Sequence, residues 1–273
     1  MKVTLLSYTS EPEKLIAAAA KLCYSDKADI QTLMDDLNDE NTVNKFINKL
    51  IEMGHMSPLE HVNFTFAVEG ISRATSHQLV RHRIASYTQR SQRYCSEDNF
   101  EYSSPEFKTD RAKDLYDRFI TISRNTYQYL LSFGEKKEDA RMVLPNAADT
   151  RIIFTMNARS LLHFFNVRCC VRAQKQIREM ANEMLNLCKE VSPVIFNHAG
   201  ASCVQHGYCP EGAMSCGKAP TIEQLHDAYS IVRHSKLSHW YCTFKKFDGY
   251  TEDIFFLLRK EGSYDKRRTI KYY

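Results

Sequence analysis

Val62-Asn63-Phe64-Thr65-Phe66-Ala67-Val68 alternates apolar with polar or small side chains at a period of two. Successive strand side chains point to opposite faces, so Val62, Phe64, Phe66 and Val68 share one face and predict a half-buried strand. Residues 2–8 suggest a second short strand, and Asp149-Thr-Arg-Ile-Ile-Phe-Thr-Met-Asn157 a third. Helical patterns lie between them. One runs from about Glu11 to Tyr24, with Pro12 in its first turn and the Ala17–Ala20 run inside. Another covers Val43 to Met53, with Phe46, Ile47, Leu50 and Ile51 on one side and Gly54 as its stop. A helix starts near Ser72 and runs up to residue 83, the longest spans 108–133 and stops at Gly134, and 158–190 holds two in series. The order β-α-α-β-α-α-β-α-α predicts an α+β fold, an antiparallel sheet packed with helices.

The whole-chain numbers narrow the function classes. At 273 residues there is room for a sizeable core. A net charge of only +4 argues against coating nucleic acid and favours one confined anionic ligand. Nine cysteines in a chain of this length do not make a disulfide scaffold, and Cys23, Cys169, Cys170 and Cys188 read as reduced thiols. No signal peptide and no membrane-length apolar run is evident, so a soluble, cytoplasmic protein is expected. After about residue 198 the composition changes. Gly200, Gly207, Gly212 and Gly217 accompany Cys203, His206, Cys209 and Cys216, enough soft ligands for zinc but without Cys-x-x-Cys spacing. Residues 221–233 look helical, 240–258 suggest a hairpin around Asp248-Gly249, and 266–273 a frayed tail. A catalytic domain over 1–217 with an extension over 218–273 is the expected division.

Beyond the central strand lies the densest chemistry, Arg81-His-Arg-Ile-Ala-Ser-Tyr-Thr-Gln-Arg-Ser-Gln-Arg-Tyr94, with no acidic residue inside it. Planar, permanently charged guanidinium forks suit phosphate oxygens, and Ser86, Thr88 and Ser91 can donate to further acceptors. A solvated basic loop, or a phosphate clamp for nucleic acid, is the competing reading. Helical spacing would put His77 and Gln78 on one face with Arg81. Gln78 has the donor and acceptor needed to read an amide-like edge such as that of uracil.

On the other side, Gly54-His-Met-Ser-Pro-Leu-Glu-His61 carries the signature of a capping box in Ser57, Pro58 and Glu60. His55 and His61 remain, without a third metal ligand nearby. A third block, Asn157-Ala-Arg159-Ser-Leu-Leu-His163-Phe-Phe-Asn-Val-Arg168, follows the third strand. There the apolar residues fill the core and leave Arg159, His163 and Arg168 to face elsewhere.

These three blocks, in this order, resemble the flavin-dependent thymidylate synthases, over about residues 1–200. The resemblance implies a thymidylate synthase-complementing type fold and a homotetramer with active sites at subunit interfaces. It also implies methylation of dUMP to dTMP, with methylenetetrahydrofolate as carbon donor and FAD reduced by NADPH; neither nucleic acid nor membrane is a partner. By matched position, Arg81, His82, Arg83, His55 and Ser57 are the FAD contacts, and Asn157, Arg159 and His163 line the flavin and folate side. Gln78, Gln89, Arg90, Ser91, Gln92, Arg93 and Arg141 match positions that hold dUMP, with Ser91 and Arg93 near its phosphate. Arg168 matches the arginine that faces the uracil ring. No cysteine need act as nucleophile, and Ser91 has no evident base beside it. Arg172 stands where many members carry histidine, Gln176 where they carry an acid, and Gln89 where some carry Glu.

Overall fold

The computed structural model describes residues 1–225 apart from residues 24, 27 and 28. Four strands form one antiparallel sheet in the order β1-β2-β4-β3: β1 is Lys2–Tyr8, β2 Asn63–Ser72, β3 Ser86–Gln89 and β4 Asp149–Asn157. The alternation that predicted the central strand is real. Phe64, Phe66 and Val68 are wholly buried. Opposite them, β4 buries Ile152, Phe154 and Met156, and Phe66 stacks on Phe154 with ring centroids 5.7 Å apart. On the other face the Thr65 and Thr155 hydroxyls meet at 2.9 Å. The two strands run past each other from Asn63–Asn157 to Ser72–Asp149, with one irregularity between Glu69 and Ile71. Gly70 sits there at φ +68°, where a Cβ would also crowd the Met1 backbone.

Helices supply the other half of the core. These are α1 (Pro12–Leu22), α2 (Ile30–Asp35), α3 (Glu40–Glu52), α4 (Arg73–Leu79), α5 (Asp110–Ser132), α6 (Lys137–Ala140), α7 (Ala158–Arg168), α8 (Lys175–Val191), α9 (Pro193–Phe196) and α10 (Ser202–His206). Ile16 and Ala17 of α1, Ile47 and Leu50 of α3, and Ile177, Met180, Ala181 and Met184 of α8 are buried. Phe196 of α9 meets Phe64 edge-on at 5.3 Å. The long helix α5 is capped by Thr109, which accepts from the Ala112 amide, and ends at Gly134 with φ +91°.

Three expectations are corrected. The helix from Ser72 stops at Leu79, so Arg81 lies in the turn beyond it and shares no helical face with His77 and Gln78. The chain must leave the helix there because Ser86–Gln89 forms an edge strand on β4, pairing Tyr87 with Phe154. The sequence alone reads as loop there, because Ser-Tyr-Thr-Gln carries a single large apolar residue. In addition, α2 was not foreseen and α3 starts earlier than Val43; Asp29 and Asp39 cap them, accepting from the Thr32 and Thr42 amides. The two helices expected within 158–190 and the strand at 149–157 are present.

The chain forms two compact units, the first holding Met1–Phe164 with Gln174–Asn197. The second comprises Phe165–Ala173 and the chain from His198 onward. Within it Asn166 donates to Gln205 at 2.8 Å and accepts from the Ser202 hydroxyl at 2.6 Å. Thr221 and Gln224 cap each other reciprocally, each side chain accepting the other's amide. Most of the helix expected at 221–233, the hairpin at 240–258 and the tail lie outside the described residues.

The core row predicts its own cost. Phe154→Ala should lower stability by about 3–5 kcal/mol, the usual range for an emptied phenylalanine site. Urea unfolding checks this, and a loss below about 1 kcal/mol would show that the row does not bear on the fold.

Candidate active site

Inside the first unit the three sequence blocks come together. His82, in the turn after α4, lies 5.8 Å from His163 of α7 and 4.9 Å from Phe164, ring centre to ring centre. One turn before His163, Arg159 forms an ion pair with Glu60 of the Ser57–His61 3-10 turn. The Ala158 amide donates to the Val62 carbonyl at 2.8 Å, tying α7 to the start of β2. His55, Ser57, Arg81, Arg83, Arg159 and His163 are all exposed on this chain.

The expected capping box is not formed. Met56 holds the cap position of the 3-10 turn, no side chain caps it, and Glu60 is spent on Arg159 instead. Asn157, matched to the flavin side, caps α7 by accepting the Ser160 amide at 2.8 Å. Its side-chain oxygen therefore has a structural duty first.

The nucleotide-side residues divide. Gln78 donates to Gln174 at 3.1 Å. Gln89 ties β3 to its neighbours, donating to the Ser76 hydroxyl at 2.9 Å and the Thr150 hydroxyl at 3.2 Å. Arg90 turns inward onto Glu97 at 2.5 Å. Arg93 meets Glu138 at 2.8 Å, its amide donates to the Ser91 hydroxyl, and its guanidinium lies 5.6 Å from the Tyr94 ring. Arg141, half-buried, donates to the Glu138 carbonyl at 3.1 Å, so Arg93 and Arg141 converge on one residue. Gln92 and Ser91 are half-buried beside them. Arg90, Glu97, Asp149, Thr150 and Arg151 line a polar cavity of about 380 Å³.

Sequence reasoning passed over several residues that build this region. Arg73, at the first position of α4, donates to the Arg90 carbonyl at 2.9 Å. Burial lowers its pKa, nearby Glu97 opposes that, and Arg141 and Arg90 add to it. Glu97 is the first acid after the basic run, the one signal that could have suggested a counter-charge. Gln176, set down as a departure from the family, joins a buried network. Its side-chain oxygen accepts from the Ser72 and Thr75 hydroxyls at 2.7 and 2.6 Å, and its nitrogen donates to Ser103 at 2.7 Å. Ser103 then donates to Asp149, whose carboxyl burial pushes up.

Arg168 closes α7 and belongs to the second unit. Burial lowers its pKa. With Cys170, Arg172, Cys203, Cys209 and Cys216 it lines a cavity of about 560 Å³. Arg172, which replaces the expected histidine, pairs with Glu211. Among the described residues no three Cys, His, Asp or Glu side chains are grouped to hold a metal, Cys203, His206, Cys209 and Cys216 included.

A half-buried arginine cluster and exposed cations and imidazoles, carried on an antiparallel α+β frame, are groups of the class that suits phosphorylated ligands. Over residues 4–194 the sequence matches the model of the thymidylate synthase complementing protein family, and the chain belongs to that family. It is 49% identical over 244 residues to a flavin-dependent thymidylate synthase of Clostridium tetani, covering 83% of this chain and 97% of that one. It is 48% identical over 235 residues to one of Geobacter sulfurreducens, covering 85% and 100%. Against one of Pyrococcus furiosus it is 44% identical over 223 residues, covering 77% and 90%. No helix among the described residues is long and apolar enough to cross a membrane.

Tyr87 links core to site in a way that can be titrated. Its hydroxyl reaches the His82 and Leu79 carbonyls at 2.7 and 3.0 Å, and burial pushes its pKa from 10.0 up to about 12. A phenol whose folded pKa is raised stabilises fully below the unfolded value, and loses that contribution as pH rises through about 12. Wild-type stability should therefore fall between about pH 10 and about pH 12 more steeply than that of Tyr87→Phe, read by urea midpoints. Equal slopes would remove Tyr87 as the cause.

Proposed function

We propose that this chain converts dUMP to dTMP by reductive methylation, taking the carbon from methylenetetrahydrofolate and the hydride from FAD reduced by NADPH. The observation that carries the reading is the convergence of the three blocks, with His82 against His163 and Arg159 on Glu60. Bound FAD supplies the redox chemistry, as an electron carrier between NADPH and the pyrimidine. The residues assigned to it fit such a group: Arg81, Arg83 and Arg159 offer N–H donors for a diphosphate, and His55, His82 and His163 offer imidazoles. Ser57 adds a hydroxyl, and Asn157 holds the helix that carries Arg159 and His163.

On the substrate side, Ser91 and Arg93 are assigned to the nucleotide phosphate, with Arg141 beside them, Gln92 next in line and Gln78 reading the pyrimidine edge. Gln89 and Arg90 shape that segment from within. Arg168 is assigned the uracil ring. A guanidinium there stabilises negative charge developing on the carbonyl without a proton transfer, and its partial burial strengthens that field. Neither the family match nor the named relatives support the nucleic-acid clamp.

The assembly is proposed to be a homotetramer with active sites at subunit interfaces, and the catalytic domain to span 1–217 with an extension over 218–273. Leu115, Phe119, Ile122 and Tyr129 of α5, with Phe133 just beyond its end, follow three-, four- and seven-residue spacing along one side, each between 54% and 78% exposed. An apolar stripe of that length on a free surface marks a partner-binding face. The exposed cations near His82, flanked by exposed Val80, Ile84 and Tyr94, likewise suit a second chain closing over them. Eight described cysteines are free thiols, which supports a cytoplasmic setting.

The purified protein should be yellow, or become so with added FAD, and should form dTMP only with dUMP, the folate and NADPH together. A colourless protein that takes up no FAD would overturn the assignment. Arg168→Ala should keep its flavin spectrum and lose about 10²-fold or more in turnover. Unchanged turnover would remove Arg168 from its role. Light scattering should give about four times the 31.7 kDa chain mass. Phe119→Glu should dissociate it, and a variant that stays tetrameric would place the interface elsewhere.

A further inference from the structure

Arg90 sits in the middle of the basic stretch yet faces the protein. Its Nη1 donates to Glu97 at 2.5 Å and its Nη2 to the Ser96 carbonyl at 3.0 Å. Its amide donates to the Arg151 carbonyl of β4 at 3.0 Å, and its own carbonyl accepts from Arg73 Nη2 at 2.9 Å. Glu97 is only 3% exposed, and its amide donates to the hydroxyl of wholly buried Tyr127 at 3.3 Å. Arg90 is therefore fixed by α4, by β4 and by the Ser96–Glu97 turn at once.

Such fixation has a physical reason. Arg90 and Arg141 are both close enough to act on Arg73 electrostatically, with Glu97 as the opposing acid. Three cations gathered around a half-buried point repel, and one carboxylate offsets only one of them. Without rigid hydrogen bonds the segment would swing outward into water. Ser91, Gln92 and Arg93 follow Arg90 directly, so their reach is set by where Arg90 is held. Arg73 Nε is buried and has no hydrogen-bond partner among the described residues, so the N-terminus of α4 accepts a polar cost to place this guanidinium.

We propose that Arg73 and Glu97 are positioning residues for the nucleotide phosphate: they pin the backbone and guanidinium of Arg90, which acts as a strut, so that Ser91 and Arg93 are presented in binding form. This rests on the reading that Ser91 and Arg93 hold the phosphate of dUMP. The flavin side, around His82 and His163, makes none of these contacts and is untouched by the strut.

The test compares wild-type holoenzyme with Arg73→Gln, Arg73→Lys and Arg90→Gln for binding of dUMP, of deoxyuridine and of FAD. Arg73→Gln should weaken dUMP about tenfold, the size expected for one charged hydrogen bond, through KM with kcat changed less than about twofold. Deoxyuridine, which lacks the phosphate, and FAD should bind as in wild type, and Arg73→Lys should recover part of the loss. If Arg73→Gln does not fold, Arg90→Gln carries the same expectation. Unchanged dUMP affinity in the variants overturns the proposal, as does equal loss of dUMP, deoxyuridine and FAD. A wild-type protein that binds no dUMP overturns the nucleotide reading and the strut with it.

Discussion

The side chain of Tyr87 joins two systems that would otherwise be independent. Its ring lies 5.9 Å from Phe154, which stacks in turn on Phe66, so it closes a row of aromatics running across β2, β4 and β3. Its hydroxyl, at the far end of the same side chain, holds the carbonyls of Leu79 and His82. The turn that presents Arg81, His82 and Arg83 is therefore fastened to the hydrophobic core through one phenol. Burial makes the ring's position unambiguous, and the hydroxyl must then find partners or pay a desolvation cost. The site inherits its geometry from the register of the sheet.

A second fastening lies at the other end of α4. The Ser72 hydroxyl accepts the Thr75 amide and caps the helix, and the Gln176 side chain binds both hydroxyls. A carboxylate at this position could accept from Ser72 and Thr75 but could not donate to Ser103. The amide does both, and it stands near Asp149, where a second charge would add repulsion to an acid already raised by burial. Glutamine here is the residue that satisfies every partner without another buried charge. The helix is thereby held at its start by a neutral network and at its end by Tyr87, with Arg73 reaching the Arg90 carbonyl from its first turn.

Which parts of this were legible in the sequence follows from how local each signal is. The β2 and β4 alternations and the Thr109–Gly134 limits of α5 are short-range patterns, and they appear in the structure as read. The edge strand Ser86–Gln89 was hidden because its inward residue is a single tyrosine and its pairing partner lies more than 60 residues away. The capping box failed for a related reason: a distant cation, Arg159, competes for Glu60. In the site, Arg81, His82 and Arg93 could be picked out by density of charge. Arg73 and Glu97 could not, because each is isolated in sequence and acquires meaning only when β4 and the Ser96–Glu97 turn bring them to Arg90. The long-range partners were invisible, and they are the ones that orient the visible residues.

The direction of α4 explains why the basic stretch must be so basic. Anions are commonly held at helix N-termini, where free amides and the positive end of the dipole do the work. Here Arg81, His82 and Arg83 follow the C-terminus of α4, which ends at Leu79 and carries the negative end. A phosphate near that turn gains nothing from the helix and is mildly repelled by it. Cations near a helix C-terminus are themselves favoured. Arg81 and Arg83 stand at that turn, while the Ser91–Arg93 segment follows β3. The two halves of the stretch thus meet opposite ends of α4: Arg81 and Arg83 follow its last residue, while the Arg90 carbonyl accepts from Arg73 at its first.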